Sequence, residues 1–142
     1  MNKTYIGIDP GKSGAIACLS TDMPPEYIKN SETLYDLAEF LSSIEGDKMA
    51  MIEKVNAMPG QGVTSTFTFG ESYGQLTGLL VALRIPFEVC RPAVWQKAMQ
   101  CRSGGNKNIT KAKAQSLFPD TKIIHANADA ILLAEYCRRM KL

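Results

Sequence analysis

Three acids, Asp9, Glu53 and Asp129, combine residue type and placement in a way that could do chemistry. Asp9 closes an apolar run that begins at Tyr5 and passes into Pro10-Gly11-Lys12-Ser13-Gly14. Glu53 closes the short run Met49 to Ile52, and Asp129 stands at the opening of the last apolar-periodic segment. One acid before a glycine-rich turn is ordinary turn chemistry, because Asp hydrogen-bonds its own backbone there. Two strands that each end in an acid are harder to explain that way. Carboxylates gathered at one place cannot all ionise unless cations compensate them. Hard oxygen donors suit Mg²⁺ or Mn²⁺, and a pair of such ions would activate a water and stabilise the leaving oxygen of a phosphodiester.

The elements that must position these acids follow from periodicity and punctuation. Tyr5 to Asp9 reads as a central strand, Ala15 to Leu19 as its hairpin partner after Gly14, and Tyr27-Ile28 as a short third strand. Leu34, Leu37, Ala38, Leu41 and Ile44 recur at helical spacing, which predicts a helix over Thr33 to Ile44 closed by Gly46. Met49 to Glu53 is a fourth strand. A long helix to about Leu83 is expected with Thr64 or Ser65 as its cap. It carries an apolar stripe, Phe69, Tyr73, Leu76, Leu80 and Leu83, and a row of small residues, Gly70, Gly74, Gly78 and Ala82. Each helical glycine costs about 1 kcal/mol against alanine, so the row implies close approach of another backbone. The sheet of the same chain is the first expectation and a second subunit the alternative. Ile85 to Cys90 is a fifth strand, and Pro92 opens a short helix containing Trp95, expected in the core. A Thr110-capped helix to about Phe118 and a last helix over Asn127 to Met140 complete the order. This is an α/β or α+β pattern in a single domain, residues 1–142.

Net charge is +2, yet residues 89–119 hold Arg91, Lys97, Arg102, Lys107, Lys111 and Lys113 and no acid. A basic segment with Gly104-Gly105 and two asparagines among its charges is either a solvated surface or a polyanion-binding loop. Hydrophobic content of 45% with 21% charged residues is that of a soluble globular protein. No run reaches the length of a membrane span, and Met1-Asn2-Lys3 leads into a strand without a signal-peptide core. A cytoplasmic location is the expectation. The four cysteines lack a CxxC pair, so they read as core fillers and not as a zinc or disulfide framework.

In combination, Gly7-Ile8-Asp9-Pro10-Gly11, Glu53 followed by Met58-Pro59-Gly60-Gln61-Gly62, and Ala128-Asp129-Ala130 before an apolar helix carry a family likeness. Over essentially its whole length the chain resembles RuvC-type Holliday junction resolvases, especially their phage-like branch. The resemblance implies an RNase H-like α/β fold with a mixed five-stranded sheet flanked by helices. It implies a homodimer that nicks four-way junction DNA symmetrically, in the host cytoplasm if phage-encoded, leaving 5′-phosphate and 3′-hydroxyl ends, with no small-molecule substrate. Two Mg²⁺ ions per active site, replaceable by Mn²⁺, would be held by Asp9, Glu53, Asp129 and a fourth ligand. That fourth position is Ala126, where the family has Asp or His, so an active-site variant of impaired activity is expected, with His125 and Asn127 as partial substitutes. Lys111 and Lys113 are expected to offset phosphate charge at the catalytic site. Asn56, Ala57 and Met58 occupy the position of the junction wedge, and Gln61, Arg102 and Lys107 are further DNA contacts. A catalytically silent junction-binding protein, or a broader nuclease of branched DNA or RNA-DNA hybrids, are the alternatives. An actin-like or sugar-kinase ATPase also begins with Asp-x-Gly after a strand, but needs a second phosphate motif that this sequence lacks.

Overall fold

The computed structural model describes residues 3–54 and 59–140. Five strands, β1 (Lys3–Asp9), β2 (Ala15–Leu19), β3 (Glu26–Lys29), β4 (Asp47–Glu53) and β5 (Phe87–Cys90), form one sheet in the order β3-β2-β1-β4-β5. β1 pairs antiparallel with β2 and β2 with β3, whereas β1–β4 and β4–β5 are parallel. The helices are α1 (Leu34–Ser43), α2 (Val63–Ala82), α3 (Pro92–Ala98), α4 (Lys107–Leu117) and α5 (His125–Met140). A mixed five-stranded sheet flanked by helices is therefore what the chain builds. Among the described residues, no helix is long and apolar enough to cross a membrane.

Alternation along the strands sorts the core into two layers. Ile6, Ile8, Ile16, Ala50 and Ile52 face α1 and α2, packing with Leu37, Leu41, Leu76 and Leu80. The opposite face carries Ala15, Ala17, Met49 and Met51 and packs against α3, α4 and α5. Asp9 continues the odd-numbered positions of β1, and Glu53 those of β4. Both acids thus emerge on the α5 side, and the parallel register, with Ile8 opposite Ile52, brings them to neighbouring strand ends.

α5 is buried on nearly every side from Asn127 to Cys137. The stripe that helical spacing gives, Ala130, Leu133, Ala134 and Cys137, is therefore only part of its buried surface. The helix lies across β1, β2 and β4 with α4 against its outer side. Small residues make this possible: a Cβ at Gly7 would collide with the Ala130 carbonyl and the Ala134 amide.

Several expected boundaries are corrected. The cap of α2 is Gly62, not Thr64 or Ser65, and it makes no side-chain cap bond. Asn106, not Thr110, caps α4 by accepting from the Asn108 amide, while Thr110 is buried one turn inside. α5 begins at His125, two residues early, because Asn127 Oδ1 accepts from the Ile124 amide and locks the entry turn. The glycine row of α2 does not approach the sheet: a Cβ at Gly70, Gly74 or Gly78 would meet nothing within 4 Å. All four cysteines are buried and free.

Candidate active site

Asp9 is delivered by a turn that is bonded at several points. Asn30 Nδ2 donates to the Asp9 carbonyl at 2.7 Å and to the Gly11 carbonyl at 2.8 Å. The Gly11 amide donates to Ser72 Oγ on α2 at 3.1 Å, and Gly11 itself takes a φ of 100°. Gly14 folds so closely over the turn that a Cβ there would strike the Asp9 carbonyl. These bonds tie the strand end to β3 and α2, so Asp9 leaves a fixed backbone.

Glu53 ends β4 opposite Cys90, and the Lys54 amide donates to the Cys90 carbonyl at 2.7 Å. Five residues beyond Cys90, the indole of Trp95 on α3 returns beneath it and donates from Nε1 to Glu53 Oε2 at 2.7 Å. Asp129 comes from the first turns of α5, and Lys107 Nζ at the start of α4 stands 3.8 Å from its Oδ2.

The electrostatics bind these residues into one unit. Burial raises the Asp9 carboxyl well above the usual carboxylate range, the charges of Glu53 and Asp129 raise it further, and Lys107 partly offsets them. Burial also pushes Glu53 up to about 6, with the Trp95 hydrogen bond and Lys107 opposing and Asp129 reinforcing the rise. Asp129 Oδ1 is buried without a hydrogen-bond partner among the described residues. Among those residues, no three His, Cys, Asp or Glu side chains stand grouped to hold a metal ion as they are. The donor set nevertheless fits a hard cation: two carboxylates, Asp9 and Glu53, hold their protons more tightly beside Asp129, whose own Oδ1 is buried with no donor among the described residues, and the three share a shortage of positive charge.

A cavity of about 410 Å³ opens over this unit, lined by Glu53, Asp129, Lys107, Arg102, Gln96 and Thr110 among others. Gln96 follows Trp95 on α3 and accepts from the Ser103 amide at 3.4 Å, which ties the basic loop to the same helix. The loop thus forms one wall of the cavity. Such a cavity, acidic at its floor and basic at its rim, suits a phosphodiester whose charge the rim attracts and whose reacting oxygens the floor can reach through a cation.

Of the expected residues, Asp9, Glu53, Asp129, Lys107 and Arg102 belong to this neighbourhood. Lys111 and Lys113 lie half-buried further along α4, Lys113 close enough to lower the Cys101 thiol pKa against the effect of burial. Gln61 donates to Ser65 Oγ at 3.3 Å, beside the start of α2. Asn56, Ala57 and Met58 lie outside the described residues. Ala126 is half-buried in the first turn of α5, three residues before Asp129. Asn127 is fully buried, with its oxygen on Ile124 and its Nδ2 donating to the Lys122 carbonyl at 3.2 Å, and is therefore committed to the helix entry. His125 is exposed. Sequence reasoning missed the partnership of Trp95 with Glu53; its only signal was an aromatic residue just after a strand that ends level with an acid.

No family model matches the sequence, and no curated protein matches it either. Solved structures do. The chain superposes on Thermus thermophilus RuvC in complex with a Holliday junction substrate with a TM-score of 0.65 and 15% identity, covering 99% of this chain and 96% of that one. It superposes on a second Thermus thermophilus RuvC structure with a TM-score of 0.60 and 14% identity, covering 99% and 97%. The chain therefore has the RNase H-like fold of RuvC, a mixed five-stranded sheet flanked by helices.

Proposed function

We propose that this chain is a structure-specific DNA endonuclease that resolves four-way junctions, a resolvase of the phage-like RuvC type acting as one nuclease domain over residues 1–142. The observation that carries the reading is the convergence of Asp9, Glu53 and Asp129 beneath a cavity rimmed by Lys107 and Arg102, on a RuvC-like fold. Asp9, Glu53 and Asp129 would hold Mg²⁺ or Mn²⁺, two ions per site, which supply an activated water and charge for the leaving oxygen. The chain's own residues do the rest. Lys107 and Arg102 draw the phosphate backbone into the cavity, and Lys111 and Lys113 extend the basic track along α4. The bonded turn from Asn30 and Ser72 holds Asp9 still. Exposed Lys107 offsets part of the charge of these acids.

A homodimer is part of the proposal, and the outer face of α2 supports it. Val63, Phe67 and Val81 are exposed by 88%, 70% and 66%, on the helix face that also carries Gly70 and Gly74. Four- and seven-residue spacings align these positions into one apolar strip whose small residues let a second helix approach closely. A two-fold pair of such faces would give two active sites for the two strands of a junction.

Ala126 favours a second reading, a junction-binding protein without cleavage, because the turn before Asp129 lacks the fourth acid. The test is Ala126→Asp, with nicking of a four-way junction, a flap and an RNA-DNA hybrid followed in Mg²⁺ and in Mn²⁺. A junction-selective gain of about 10- to 100-fold in rate is expected, the range over which single contacts at a metal site act. Tight junction binding with no cleavage by either chain at saturating Mn²⁺ would establish the silent binder instead. Equal cleavage of all three substrates would replace junction resolution by a broader nuclease activity.

A further inference from the structure

Trp95 is the only tryptophan of the chain and is completely buried, in the core layer that also holds Met51, Cys90, Met99 and Ala130. A buried indole needs an acceptor for its single N–H, and a backbone carbonyl in the core would serve that need without touching the cavity. Here the acceptor is Glu53 Oε2, at 2.7 Å, on a carboxylate that itself lines the cavity. Pro92 in the first turn of α3 and the Glu53–Cys90 register fix where the indole returns, so the donor is aimed by the main chain on both sides.

We propose that Trp95 is a positioning residue: its Nε1–H anchors one oxygen of Glu53, setting the carboxylate plane so that the other oxygen is presented to a divalent cation in the cavity. A glutamate side chain has three rotatable bonds, the last of them broad and two-fold, and one charge-assisted bond from a rigid donor removes most of that freedom. This inference rests on the reading of Asp9, Glu53 and Asp129 as cation ligands, and it does not depend on the nucleic acid that is cut.

Because the chain has one tryptophan, growth on benzothienylalanine in place of tryptophan exchanges that indole alone for a ring of nearly the same shape without the N–H. Calorimetric titration with Mn²⁺ in the absence of DNA is the readout, repeated in a Glu53→Gln background. Affinity is expected to fall about tenfold on the exchange in the native chain, as for other groups that orient metal ligands, and to be unchanged by it in the Glu53→Gln chain. Trp95→Phe should reproduce the loss if it folds, and the isosteric exchange carries the test if it does not. Unaltered Mn²⁺ affinity after the exchange, an equal loss in both backgrounds, or no Mn²⁺ binding by the native chain would each overturn the proposal. Mn²⁺ binding that depends on the indole in a chain that ignores four-way junctions would overturn the proposed function and leave the role of Trp95 standing.

Discussion

Two stripes of small residues in this chain meet opposite fates. Gly7, Ala15 and Ala17 on the sheet face Ala130 and Ala134 on α5 so closely that a Cβ at Gly7 would strike main-chain atoms. Gly70, Gly74 and Gly78 on α2 face open space, beside exposed Val63, Phe67 and Val81. The first stripe is consumed inside the chain, and it draws in α5 far enough to bring Asp129 to Asp9 and Glu53. The second has no partner among the described residues. Small residues at regular spacing state that a backbone comes near, and they leave open whose backbone it is.

The strongest way to break this contrast is Gly7→Ala. The added methyl has nowhere to go, since the obstacle is the main chain of α5 and not a flexible side chain. A loss of about 3 kcal/mol or more in denaturant unfolding is expected, at the upper end of overpacking costs. A near-neutral result would show that α5 sits less tightly on β1 than described, and with it that Asp129 is not held to the other acids.

The inner seam also bears the cost of buried charge, which pH can isolate. Glu53 is held at about 6, above the value of an unfolded glutamate, so the folded state retains its proton more strongly. Stability from this group is present at low pH and is lost as pH rises from the ordinary carboxylate range through about 6. Asp9, raised by the same burial, acts in the same direction. In cation-free buffer, Glu53→Gln should therefore be more stable than the native chain above that window by on the order of 1 kcal/mol, and the difference should shrink below it. A difference in thermal midpoint that is constant with pH would mean that Glu53 titrates normally.

The smallest effect belongs to the outer stripe. Gly74→Ala should raise the stability of the dissociated chain by about 0.5–1 kcal/mol through helix propensity alone, since the methyl meets nothing. If α2 pairs with its own copy, the same methyl should weaken association in sedimentation equilibrium. Gain without any change in association would leave α2 without the partner proposed for it.

Much of the scaffold was legible from residue order. The apolar runs ending at Asp9 and Glu53, the hairpin at Gly14 and the helix after Thr33 follow from local chemistry, and Thr33 does cap α1 by accepting from the Asp36 amide at 3.1 Å. Caps were less legible where several polar residues competed. Thr64, Ser65 and Thr110 are good caps in isolation, yet Gly62 and Asn106 hold those positions. The breadth of burial on α5 was also hidden, since Asn127, Asp129 and Glu135 do not read as buried until α4 and the sheet close around them.

The sequence by itself determined which groups are available: three acids at element ends, a basic segment, a missing acid at Ala126 and one row of small residues. Those follow from residue type and from interactions within a few positions along the chain. Only the tertiary structure decided that Lys107 stands beside Asp129, that Trp95 donates to Glu53, 42 residues away, and that the glycine row of α2 points outward. Each of these depends on strand order and on the depth at which a helix rests on the sheet, which are set by packing summed over the whole chain and not by spacing along it.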